Sequence, residues 1–498
     1  MRRSGILLPI SSLPSPYGIG TIGRTAFQFV DFLAAAGQTL WQILPLGPTG
    51  FGDSPYQSFS TFAGNPSLID LDNLVELGLL TKDEIESFAW GGLPISIDYG
   101  LIFANRAPVL RLATSRLDPQ SGSFRQFEAE SAHWLDDYAF FMAIKKQPGY
   151  DRPCTVAVAI AQGRDQKELH QARQQLEEEI LFWKQVQSPV FFCSGEHCVI
   201  TPKKIRFASL VTCRFTCRRI PQDLWAAPSL FQVDADLNLI DVAGCPPDCF
   251  SPLGQLWGNP LYDWPKHKDE DFNWWVQRLQ HAGQIYDLLR VDHFRGFESY
   301  YAIPADHTTA EFGVWRQGPG LPFIETIKER LPNLEIIAED LGVITPEVRQ
   351  ILDASGFPGM RVLQFAFDSR EGSEYLPYKY PFNTVVYTGT HDNTTTEDWQ
   401  YSSPASAVQF AREYMDTDDP NELTWRFIRA AMSSSADTCI VPMQDFLRLG
   451  AEARLNTPGT RQGNWRWRVD GKMLTDDLAE QIRQTTELYG RRRMDIRS

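Results

Sequence analysis

Nowhere in these 498 residues is there an apolar run fit to cross a bilayer as a helix. The nearest approach, residues 33–52, is free of charge but holds two prolines and four glycines, which break a continuous helix. Cysteine is scarce. Its eight residues follow no disulfide framework, which fits a reducing compartment and a cytoplasmic location. Cys193, Cys198, Cys213, Cys217, Cys245 and Cys249 form three loose pairs, set wider than the usual zinc Cys-x-x-Cys. There is no His-Glu-x-x-His and no glycine-rich phosphate loop, so metalloprotease and dinucleotide-binding chemistry both lack their signatures. Positive charge is short as well. Forty-seven Lys and Arg face 62 Asp and Glu, for a net charge of -15. A long-range field that gathers phosphates is thereby excluded, and nucleic acid is a poor partner. The opening "MRRSGILLPISSLPSP" has two arginines before an apolar patch, but the patch is shorter than a signal core and is cut by Pro9. It reads as a first buried strand.

What the chain has in quantity is aromatic surface: 31 Phe, 16 Tyr and 14 Trp, or 12% of the residues. Sugar rings present C–H faces that pack on aromatic rings, so carbohydrate is one reading, and ordinary core and surface aromatics are the other. Short apolar runs that end in polar or acidic residues recur along the chain. They are "GILLPISS", "TLWQILPLG", "IYDLLRVDH", "LEIIAED", "MRVLQFAFD", "NTVVYTGTHDN" and "TCIVPMQD". Continuous hydrophobic strands with function at their carboxyl ends mark a parallel sheet. Helical patterns lie between them, among them "TPEVRQILDASG" with Thr345 as N-cap and Pro346 in the first turn. Seven strand candidates, with an eighth to be found between 50 and 285, predict an α/β fold, a (β/α)8 TIM barrel with helical and loop insertions between strands. One catalytic barrel domain over 1–498 accommodates the length, and residues 66–185 read as a mainly helical insertion.

Three strand ends carry acids: Asp292 in "RVDHF", Glu339 in "IIAEDLG" and Asp392 in "TGTHDNTT". Strands of one barrel converge at their carboxyl ends, so these acids can face one pocket. Two carboxyl groups about 5 Å apart suit a retaining glycosidic reaction, one attacking the sugar carbon and one protonating the leaving oxygen. Arg290, two residues before Asp292, shares its side of the strand and favours an ionised carboxylate. Glu339 follows the apolar "LEII" and feels neighbouring anions, and both effects raise its pKa toward that of a general acid. Structural ion pairs at a barrel rim are the competing reading for any one of these acids. His293 and His391 stand beside Asp292 and Asp392, where hydrogen bonding to sugar is favoured over a metal site.

Taken together, "GDSPYQSFSTFAGNP", "DLWAAPSLFQVD", "PPDCFSPLGQLWGNPLYDW", "RVDHFRG", "AEDLG", "GTHDN" and "LNTPGTRQGNWRWR" resemble the amylomaltases, the 4-α-glucanotransferases of the α-amylase clan. The resemblance covers most of the chain. It implies Asp292 as nucleophile, Glu339 as acid/base and Asp392 as a third acid that holds sugar hydroxyls. It also implies substrate contacts by Tyr56, Asp248, Phe250, Gln255, Trp257, Arg290, Asp368, His391 and Asn464. Residues 244–264 correspond to a loop that arches over the cleft. The implied enzyme needs no cofactor and no metal. Its partners are α-1,4-glucans and maltooligosaccharides, not nucleic acid or membrane, and it is a monomer or weak dimer. The alternatives are an α-glucan hydrolase of the same clan and a glucan-binding protein that has lost turnover.

One segment departs from the resemblance. Residues 188–222, "SPVFFCSGEHCVITPKKIRFASLVTCRFTCRRIPQ", stand where the third barrel strand is expected and bring in Arg214, Arg218 and Arg219. One codon choice for "LVTCRFTCRRIPQ", read two bases out of register, gives GDLPIYVSPDSA, which is similar to the family's third strand. The segment therefore reads as the product of compensating frameshifts.

Overall fold

Branched and aromatic residues in runs of three to seven set the strands, and the structure places all eight strands of the expected barrel. It is a computed structural model that describes residues 2–50, 52–146, 166–188, 208–214, 222–247, 251–367, 373–460 and 462–492. In chain order the strands are β1 (Arg3–Leu7), β2 (Leu40–Gln42), β3 (Ala208–Arg214), β4 (Asp241–Cys245), β5 (Gln255–Pro260) and β6 (Leu288–Asp292). They continue with β7 (Ser299–Pro304), β8 (Val314–Gln317), β9 (Glu335–Ala338), β10 (Gly359–Val362), β11 (Thr384–Tyr387) and β12 (Thr438–Pro442). Eight of them form one parallel sheet in the order β10-β11-β12-β1-β2-β3-β6-β9. Its two ends meet where the Ala338 N–H donates to the Pro358 carbonyl at 2.9 Å, which closes the barrel. Every residue of β11 and β12 is buried, as expected of strands covered on both faces.

The third barrel strand, expected within residues 188–222, is β3, inside that divergent segment. Its backbone pairs with β2 from Leu40↔Ala208 and with β6 as far as Arg214↔Asp292. Residues 189–207 and 215–221 lie outside the described residues. Between β2 and β3 the chain builds helices that include Leu71–Glu76, Tyr99–Thr114, Leu135–Lys145 and Glu177–Val186. An aromatic cluster of Phe59, Phe62, Trp134, Tyr138 and Phe141 packs the helix Leu135–Lys145 against the loop after β2. Thr345 caps its helix as the sequence predicts, its side chain accepting the Val348 N–H.

A second sheet, antiparallel in the order β5-β4-β7-β8, rises beside the carboxyl ends of the barrel strands. The loop from β4 to β5 turns back through Gly254, whose φ is 68° and where a Cβ would stand 2.5 Å from the Cys245 carbonyl oxygen. At the other end of the barrel the fully buried Arg491 donates to the carbonyls of Met432 (2.7 Å), Ala436 (2.8 Å), Arg3 (3.0 Å) and Asp437 (3.1 Å). The last helix, Asp476–Leu488, is thereby tied to the start of β1 and β12. Among the described residues no helix is long and apolar enough to cross a membrane.

Candidate active site

Asp292 is the last residue of β6, and Arg290 lies two positions earlier on the same face. Arg290 Nη1 donates to Asp292 Oδ1 at 2.8 Å, with the guanidinium side chain only 4% exposed. A buried cation this close holds the neighbouring carboxylate in its ionised form. Burial alone would lower the Arg290 pKa, but Asp292, Tyr56 and Glu339 outweigh it, so the guanidinium keeps its charge.

Glu339 follows β9, the strand next to β6. Val291 pairs with Ala338, so Asp292 and Glu339 occupy the next position on adjacent strands, whose spacing is about 4.8 Å. Both Glu339 oxygens are held by the backbone. The His293 N–H donates to Oε2 at 2.6 Å and the Leu341 N–H to Oε1 at 2.9 Å. His293 takes a left-handed conformation, φ 55° and ψ 52°, which turns its N–H toward the glutamate. The Glu339 carboxyl is surrounded by protein yet keeps a face open to the cleft. Removal from water, followed by the charge of Asp292, pushes its pKa up to about 7, against opposing effects of Arg290 and the two N–H donors. One carboxyl is thus set to be ionised while its neighbour holds a proton near neutral pH.

Asp392 comes from the loop after β11. His391 Nε2 stands 3.3 Å from Asp392 Oδ2, and Asn456 Nδ2 donates to Oδ1 at 2.6 Å. Desolvation would raise this carboxyl, but His391, Asn456 and Arg290 together hold it well below the ordinary aspartate value. Its side chain is nonetheless 46% exposed, because it opens into the cleft. Arg290 therefore acts on all three acids, which brings them to one place. The loop is fixed from below by Asp445, 1% exposed, which accepts from the Thr388 hydroxyl, the Thr396 N–H and the Thr396 hydroxyl.

Tyr56 stacks on His391 with ring centroids 4.7 Å apart, and its hydroxyl lies 3.3 Å from His391 Nδ1. Its loop is anchored where Asp223 Oδ2 accepts from the Thr61 N–H and hydroxyl. Gln255 and Trp257 both lie on β5. Trp257 Nε1 donates to Gln255 Oε1 at 3.1 Å, and the Trp257 ring meets His293 edge-on at 5.0 Å. The second sheet therefore touches the turn that orients Glu339. Asn464 is engaged within its own loop: Oδ1 accepts the Thr457 N–H at 3.0 Å and Nδ2 donates to Thr460 Oγ1 at 2.9 Å. Asp248, Phe250 and Asp368 lie outside the described residues.

Two contributors escape the sequence reading. Asn456 hydrogen-bonds Asp392, while Arg454 Nη2 donates to the Asp392 carbonyl at 2.9 Å and Arg454 Nε to the Asn456 carbonyl at 2.8 Å. Trp465, φ 65°, lies against Tyr56 and His391 with centroids 5.8 and 5.9 Å away. Both sit in "LNTPGTRQGNWRWR", a stretch notable in the sequence but without any spacing that singles them out. Among the described residues no three His, Cys, Asp or Glu side chains gather as a metal site would require.

Comparison with known proteins agrees with this geometry. The family model Glyco_hydro_77, described as 4-alpha-glucanotransferase, matches residues 8–475. A 4-alpha-glucanotransferase of Clostridium butyricum is 42% identical over 97% of this chain and 99% of its own length. One of Thermus thermophilus is 40% identical over 98% of each chain. The structure of amylomaltase from Streptococcus agalactiae in complex with acarbose superposes with a TM-score of 0.92 at 38% identity, covering 99% of this chain and 100% of that one.

Proposed function

This chain belongs to the 4-alpha-glucanotransferase family, and from that premise we propose how its residues carry the transfer. It is a retaining enzyme that moves α-1,4-glucan segments from a donor chain to glucose or a maltooligosaccharide. Asp292 attacks the anomeric carbon while Glu339 gives its proton to the departing glycosidic oxygen, leaving a glycosyl ester on Asp292. Glu339, now ionised, takes a proton from the 4-hydroxyl of an acceptor sugar, which attacks the ester and restores both carboxyl groups. Asp392, held by Asn456 and His391, offers an ionised oxygen to ring hydroxyls as the sugar flattens. Tyr56 and Trp257 supply aromatic faces, and Trp257 with the loop of residues 244–264 keeps water from the ester until an acceptor arrives.

The observation that carries this reading is that two neighbouring carboxyl groups have unlike partners, a buried arginine for one and two backbone N–H donors for the other. Arg290 pairs with Asp292, while burial and that same Asp292 keep a proton on Glu339. The deciding experiment uses a glucosyl fluoride, whose leaving group departs without help from an acid. In Glu339→Gln the fluoride should form an ester that no longer turns over, and peptide mapping should find the added hexose on Asp292. Label on another residue, or none in a folded variant that hydrolyses no fluoride, would remove Asp292 from the role. For the intact enzyme, maltotriose should yield glucose and longer oligomers. Only shorter sugars would mark a hydrolase.

A further inference from the structure

Each strand of a (β/α)8 barrel ordinarily returns through a helix that covers its flank. After β10 the described chain returns instead through short 3-10 turns, Leu363–Phe367, Ser373–Tyr375 and Pro377–Lys379, before β11 begins. Between these turns and the helix Pro346–Ser355 lies a cavity of about 490 Å³, within the range of small-molecule sites. Asp340, Gly359, Arg361 and Thr384 lie on its barrel side, and Arg349, Asp353, Phe357, Glu374, Tyr375 and Asn383 line the rest.

The charges in it are matched. Arg361 Nη1 pairs with Asp340 Oδ2 at 3.1 Å, and Arg349 Nη2 lies 3.8 Å from Glu374 Oε2. Asp353 adds a third carboxylate, so the lining carries one more acid than base and does not favour an anion. Aromatic surface accompanies these polar groups. The Tyr375 ring packs on Phe365 at 5.6 Å and lies 5.9 Å from the Arg361 guanidinium carbon, with Phe357 on the opposite segment. On the same loop, outside the cavity, Tyr378 and Phe382 are 69% and 62% exposed. Aromatic faces beside fixed donors and acceptors of nearly balanced charge suit a neutral polyhydroxylated ring.

We propose that this cavity is an accessory site for an α-1,4-glucan chain, separate from the cleft that holds the three acids. The proposal rests on the function above, which supplies the ligand class. It holds a remote stretch of a long donor while the reacting bond lies between Asp292 and Glu339. Short substrates do not reach it.

The test compares the full-length chain with Tyr375→Ala, which removes an aromatic face, and Asp353→Arg, which places a long side chain over the cavity from an exposed helix position. Kinetics on amylose and on maltotriose are measured side by side, with migration through glycogen-containing native gels. The KM for amylose should rise about fivefold in each variant, the factor expected from losing one aromatic contact, and retardation by glycogen should weaken. Maltotriose disproportionation and melting temperature should match the parent. Unchanged amylose KM and gel migration in both variants would overturn the accessory site. So would equal losses on amylose and maltotriose, which would mark the residues as structural. A parent chain that disproportionates no maltotriose would instead bring down the functional reading on which the proposal stands.

Discussion

Asp292, Glu339 and Asp392 are three carboxyl groups made unlike by what touches them. Asn456 gives Asp392 a 2.6 Å amide hydrogen bond, and a bond of that kind to a charged group contributes about 1.5–3 kcal/mol. Asn456→Ala should therefore lower kcat on the order of 10- to 100-fold while the melting temperature holds. Asn456→Asp should do more, setting a second carboxylate against Asp392 and moving the acid limb of the pH–rate profile upward. Identical profiles for parent and variants would end the role of Asn456. Glu339 supplies a pH dependence with a definite sign. Its proton is lost as pH rises through about 7, so kcat/KM should fall on the alkaline side of that value, and Glu339→Gln should abolish both the limb and most of the rate. Stability follows the same shift. The unfolded glutamate ionises near 4.5 while the folded one keeps its proton to about 7, so the folded state binds more protons in that window and loses stability as pH rises through it. In Glu339→Gln that part of the slope in melting temperature should disappear.

At the scale of elements, the β4–β5 hairpin is the segment proposed to keep water from the glycosyl ester. Trp257 reaches from β5 to the His293 ring, and the His293 N–H is one of the two donors that hold Glu339. Trp257→Ala opens the cover over the glycosyl ester and removes a support of the turn that orients the acid. The ratio of glucose released by water to glucan transferred should rise several-fold, measured as reducing ends formed per transfer on maltotriose. An unchanged ratio would show that the hairpin does not act as a cover. Phe250, in the connection between β4 and β5, is expected to act in the same sense.

At the scale of the whole molecule, the barrel depends on its seams and its floor. Arg491 donates to five backbone carbonyls from one guanidinium. Arg491→Met keeps much of its volume and removes this donor; Met432 keeps Arg2 Nη2 and Asp437 keeps the Arg3 N–H, while each carbonyl left without a partner costs about 1–3 kcal/mol. A fall in melting temperature of more than about 10 °C should follow by calorimetry, and near-parental melting would mean that water replaces the guanidinium. The third strand gives the other test. The β3 backbone pairs on both sides, the place of a central barrel strand, which apolar residues suit better than charged ones. A chain carrying GDLPIYVSPDSA immediately before Asp223 should be more soluble and melt higher than the chain with Arg214, Arg218 and Arg219. Equal melting and equal maltotriose turnover would make the cysteine-rich segment a genuine structural element.

The amino-acid sequence by itself determined seven of the eight barrel strands, because each is a short apolar run ending in polar residues, a pattern local enough to read. It also marked Asp292, Glu339 and Asp392 as acids at strand ends, since they stand where those runs stop. Only the tertiary structure decided that Arg290 acts on all three, that the backbone of His293 and Leu341 grips Glu339, and that Asn456 holds Asp392 from 64 residues away. Such contacts depend on barrel closure and on loop conformations of positive φ, and neither leaves a periodic trace in the chain. The third strand needed the structure for a related reason: "ASLVTCR" is too polar to read as a buried run, and its place comes from the partners on either side.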